Sequence, residues 1–81
     1  NFASGYINLA AIYSQIGDKN SALDALSYAR TLAKSVDERY LIEFNSAIIY
    51  FNDQDFATSL EYANKAKSIK MTQEVLILNK R

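Results

Sequence analysis

With neither a histidine nor a cysteine among its 81 residues, the chain has only carboxylates, lysines, arginines, tyrosines and hydroxyls with which to do chemistry. That inventory excludes a disulfide framework and the usual zinc, iron and copper ligand sets. It also leaves no Cys or His for a nucleophile–base pair, and no glycine-rich loop is present to hold a phosphate, so no enzymatic activity and no cofactor are expected. Asp53-Gln54-Asp55 has the acidic spacing of a calcium loop. No glycine follows it and no glutamate stands at the bidentate position, so it reads as a turn and a helix cap. Lys65, Lys67 and Lys70 gather near a helix end, where cations are favoured, and Glu61 lies one turn before Lys65. Tyrosines are numerous, six in all, but Tyr6, Tyr13 and Tyr50 fall on packing positions, and no basic stripe runs beside them as nucleic-acid stacking would require.

The charge balance agrees, nine basic residues against nine acidic. No global field draws in a nucleic acid or an anionic membrane, and the longest apolar run, around Ala47 to Phe51, is far below the roughly 20 residues of a membrane span. A cysteine-free chain suits the cytoplasm, the first expectation, and also the periplasm. The chain opens on Asn1 with no leader pattern, which suggests a segment of a longer protein.

Helical periodicity positions all of these residues. Tyr6, Leu9, Ala10, Tyr13 and Ile16 follow the i, i+3, i+4, i+7 spacing of a first amphipathic helix. Gly17 then suits the left-handed residue at a helix C-terminus, and Asp18 can cap a second helix whose packing face is Ala22, Leu23, Leu26, Ala29 and Leu32. Ser35-Val36-Asp37-Glu38 has the form of a capping box and predicts a third helix over about 36–51. A fourth is expected over about 56–70, a turn at 71–72, and a fifth helix beginning at Thr72. Sliding the chain by 37 residues superposes Asn8 on Asn45, Ala10 on Ala47, Tyr13 on Tyr50, Asp18 on Asp55, Leu23 on Leu60 and Ala29 on Ala66. Self-similarity at such a period marks a solenoid of helical hairpins, each burying a face against the next.

At this point the residues resemble the tetratricopeptide repeat family. Tyr6, Leu9, Ala10, Tyr13, Ala22, Leu26 and Ala29 stand at the spacings of that family's pattern. In the second repeat Ala47, Tyr50 and Ala66 hold their places, whereas Glu43, Ser46, Ser59 and Ala63 depart from it. The resemblance implies an all-α, right-handed superhelix: repeat one over 3–35, repeat two over 36–71 and the start of a third over 72–81. Longer repeats without the closing proline look like those of bacterial regulators and sensors.

What the family does then implies a site. Its concave groove is lined by the first helix of each repeat, here Ser4, Ile7, Asn8, Ala11 and Gln15, then Leu41, Phe44, Asn45, Ile48 and Asn52. Asn8 and Asn45 would bond an extended backbone while Ile7, Phe44 and Ile48 accept apolar side chains; the two asparagines read equally well as solvated helix residues. A carboxylate clamp of the chaperone-binding kind is not expected, because Ile7 and Ala11 occupy its first-repeat positions. Two functions follow: a protein-interaction module holding a peptide or a partner's helix, or a peptide- or ligand-sensing segment of a bacterial transcriptional regulator or signalling protein. Partners are expected to be proteins or peptides, not nucleic acid or membrane. A last helix carrying Val75, Leu76, Ile77 and Leu78, without a mate, is expected to make the isolated chain self-associate.

Overall fold

The computed structural model describes the backbone over residues 2–79 and the side chains over 2–70, and every described element is an α-helix. The order is α1 (Phe2–Gln15), α2 (Lys19–Leu32), α3 (Val36–Asn52) and α4 (Phe56–Asn79). Helices α1 and α2 form one antiparallel hairpin and α3 and α4 a second. The hairpins meet through α3, which touches both α1 and α2; among the described residues α4 packs on α3 alone. Each hairpin thus contacts its neighbour through one edge, as in a linear stack.

The two turns are built alike. Gly17 has φ +84° and Gln54, its counterpart 37 residues on, has φ +64°. In the first turn the Asp18 N–H donates to Tyr13 O at 2.9 Å, and in the second the Asp55 N–H donates to Tyr50 O at 2.9 Å. Each aspartate then caps the following helix: Asp18 accepts from the Ser21 N–H at 3.2 Å and Asp55 from the Thr58 N–H at 3.3 Å. Free N–H groups at a helix start are satisfied in this way. Between the hairpins the capping box forms as the sequence predicts. Ser35 Oγ accepts from the Glu38 N–H, and the buried Glu38 carboxylate accepts from the N–H groups of Lys34 and Ser35.

Small residues let the helices approach closely. Ala3, Ala10, Ala22 and Ala29 are fully buried, and Ile7, Ala25, Leu26, Ile42 and Ile49 complete the core. Ser59, which replaces the alanine of the first repeat at Ala22, is accommodated because its hydroxyl donates to Ala47 O at 2.7 Å.

Three expectations are corrected. The inward stripe of α1 is Ala3, Ile7 and Ala10, rotated from the expected one, so Leu9 and Ile16 are exposed and Tyr6 and Tyr13 half-buried. On α2, Leu32 likewise turns outward and Ala25 inward. No turn interrupts residues 71–72: the backbone stays helical from Phe56 to Asn79, because the stretch contains no glycine or proline and is rich in good helix formers. The side chains of the expected third repeat, Val75 to Leu78 among them, lie outside the described residues.

Candidate functional site

The expected groove residues do not share one environment. Ile7 is only 5% exposed and packs in the core with Ala10, Leu26, Ile42 and Ile49. It faces the hairpin junction and not an open groove, which corrects its assignment. Asn8 and Gln15 are exposed on α1, Ser4 is exposed with them, and Ala11 is half-buried. Asn45 turns its amide back onto its own helix, donating to Leu41 O at 2.7 Å, so the two equivalent asparagines do not present matched amides. Asn52 reaches across the junction and donates to Ser14 Oγ at 3.3 Å.

Leu41, Phe44 and Ile48 are exposed, and the structure extends them into a larger surface. They follow an i, i+3, i+7 line on α3 that continues to Phe51, and Phe56 at the start of α4 meets Phe51 edge-on with ring centroids 5.3 Å apart. Leu60, one turn further along α4, is 62% exposed. The result is one apolar face formed by α3 and the first turns of α4, bordered by Tyr40, which stacks on Phe44 at 5.9 Å. Single exposed apolar residues are ordinary on protein surfaces, whereas a contiguous set on adjacent helices marks a contact surface.

A second apolar surface lies on the opposite edge. Leu9, Ile12 and Ile16 are 37%, 55% and 70% exposed, and with Phe2 and Gly5 they fall at positions 2, 5, 9, 12 and 16, alternating steps of three and four. Beside them Tyr6 stacks on Tyr28 at 5.5 Å and, with Leu9, Tyr13 and Asp24, borders a shallow cleft of about 230 Å³.

The sequence reading missed Phe51, Phe56, Leu60 and Ile12 as surface residues. The available signal was that α1 and α3 carry apolar residues on two sides, more than one buried face needs.

Polar contacts tie the hairpins together. Lys19 Nζ donates to Asp53 at 2.8 Å and lies over the Tyr50 ring at 4.8 Å; Arg30 pairs with Glu43 at 2.7 Å. The hydrogen bond to Asp53 raises the Lys19 pKa above its ordinary value of 10.5, so the lysine carries its charge in this bridge at neutral pH and loses it as pH rises through the higher folded value. Among the described residues no three carboxylates converge into a metal site, and no helix is long and apolar enough to cross a membrane.

Comparison with known proteins adds no relative: no family model, curated protein or solved structure matches the chain.

Proposed function

We propose that the chain is a protein-interaction module, a two-hairpin piece of a tetratricopeptide-like right-handed superhelix that binds a partner through helix-borne apolar side chains. The solenoid reading is supported by the matched turns at Gly17 and Gln54, the equivalent caps at Asp18 and Asp55, and the edge-to-edge meeting of the hairpins through α3. The binding reading rests on one observation: Leu41, Phe44, Ile48 and Phe51 form an exposed apolar line on α3, extended by Phe56 and Leu60 on α4. Such a line suits an amphipathic helix, whose own i, i+3, i+4, i+7 anchors would lie along it, or an extended apolar peptide. The groove therefore moves from the expected Ile7–Asn8–Asn45 strip toward the trailing side of α3. No catalytic role, metal or cofactor belongs to this reading.

The test is fluorescence anisotropy with a labelled Leu/Lys amphipathic helical peptide as probe. Saturable binding that weakens about tenfold in Phe44→Asp, with the helical circular dichroism unchanged, is the expected result. Absence of saturable binding, or binding indifferent to Phe44→Asp, overturns the proposal.

A further inference from the structure

The repeat shows what kind of surface each free edge is. Moving back by 37 residues, Ile42, Ser46 and Ile49 of α3 become Gly5, Leu9 and Ile12 of α1. The α3 residues are 1%, 2% and 3% exposed at the hairpin junction, whereas Gly5, Leu9 and Ile12 face solvent. The other edge obeys the same rule. Ile7, Ala11, Ser14 and Leu23 of the first hairpin are buried or half-buried, and their counterparts Phe44, Ile48, Phe51 and Leu60 are exposed. The leading edge of α1 and the trailing edge of α3–α4 are therefore the two halves of one interface that already exists once inside the molecule.

Moving each internal contact by one repeat shows which side chains would meet if the two edges joined. Lys19–Asp53 becomes Phe56 against Ile16, Arg30–Glu43 becomes Lys67 against Tyr6, and Ser14–Asn52 becomes Phe51 against Gln15. Two of the three pairs remain complementary although the chemistry changes. Phe56 and Ile16, 57% and 70% exposed, replace an ion pair by an apolar pair, and Lys67 against the Tyr6 ring replaces another by a cation over an aromatic face. Size is matched as well. The trailing edge has Phe44, Ile48 and Phe51 where the internal one has Ile7, Ala11 and Ser14, and the leading edge has Gly5 where the internal one has Ile42. A Cβ at Gly5 would meet nothing within 4 Å, so there is room for the bulkier partner.

We infer that the partner of the α3–α4 face is the α1 edge of a second copy of this chain, docked head to tail in the register of the internal repeat, with Ile16 against Phe56 at the end of the interface where the helical turns lie. The inference rests on the reading of that face as a binding surface and names its occupant. A head-to-tail contact uses two different surfaces, so it leaves one of each free on every pair and propagates.

Sedimentation velocity on the whole chain tests this with two variants at exposed sites, Ile16→Asp and Phe56→Asp. The wild type should form an open-ended, concentration-dependent series. Each variant alone should lose association about tenfold or more. An equimolar mixture should recover a heterodimer and nothing larger, because Ile16→Asp keeps an intact trailing edge and Phe56→Asp an intact leading edge. Circular dichroism checks that both fold. A wild type that stays monomeric to millimolar concentration, a closed two-fold dimer, or a mixture that remains monomeric overturns the inference. If the inference fails while Phe44-sensitive binding of the amphipathic peptide persists, the binding face stands and its partner is a different protein.

Discussion

At the scale of single residues, the two left-handed turn positions are a controlled comparison. Gly17 and Gln54 both take positive φ, +84° and +64°, yet only glycine does so without a steric penalty. A methyl group at Gly17 would touch nothing within 4 Å, so Gly17→Ala should cost about 1 kcal/mol through backbone conformation alone. Gln54→Gly should instead stabilise by about 0.5 kcal/mol, the relief of strain being partly offset by a freer unfolded chain. Urea melts of the pair measure both; a harmless Gly17→Ala would contradict the turn assignment. The repeat made this equivalence legible in the sequence even though glutamine is not a residue one would choose for the position.

At the scale of elements, the starts of α2, α3 and α4 are each capped, and the Ser35–Glu38 box makes three side-chain–backbone hydrogen bonds. The Glu38 carboxylate serves two backbone N–H groups from a buried position, which water would have to replace if it were removed. Glu38→Ala should therefore destabilise by about 2 kcal/mol, more than the roughly 1 kcal/mol of a simple cap such as Asp18→Ala. Thermal melts of the two variants would reveal the order, and equal losses would mean that water satisfies the N–H groups left behind. Inside the core, Leu26 is 1% exposed and packs in one cluster with Ile7, Ile42, Ile49 and four alanines, so Leu26→Ala should cost about 3 kcal/mol.

At the scale of the whole molecule, the helix contacts between the hairpins run through α3 among the described residues, and Ile42 and Ile49 are its apolar contribution to the shared core. A domain of this size commands about 5 kcal/mol or little more. Ile42→Ala, expected to remove about 3 kcal/mol at the junction, should separate the unfolding of the hairpins, with amide exchange quickening in one before the other. Uniform acceleration throughout would instead mean that the hairpins fold as one cooperative unit.

The sequence by itself determined the all-helical class, the positions of the first three turns, the caps at Asp18, Ser35 and Asp55, and the burial of Ala10, Ala22, Ala29, Ala47 and Ala66. These depend on interactions reaching three or four residues along the chain, so neighbouring letters suffice to specify them. Only the tertiary structure decided which way each helix turns. In α1 two apolar stripes compete for the interior, and Ala3–Ile7–Ala10 wins over Leu9–Ile12–Ile16 because α2 and α3, distant in sequence, close on that side. Ile7 left the expected groove for the same reason, and Phe51, Phe56 and Leu60 joined the exposed face because no described element packs over them. The uninterrupted α4 marks the limit of reading by repeat: equivalence with Ser35 suggested a break at Thr72, but the stretch holds neither glycine nor proline and the backbone stays helical.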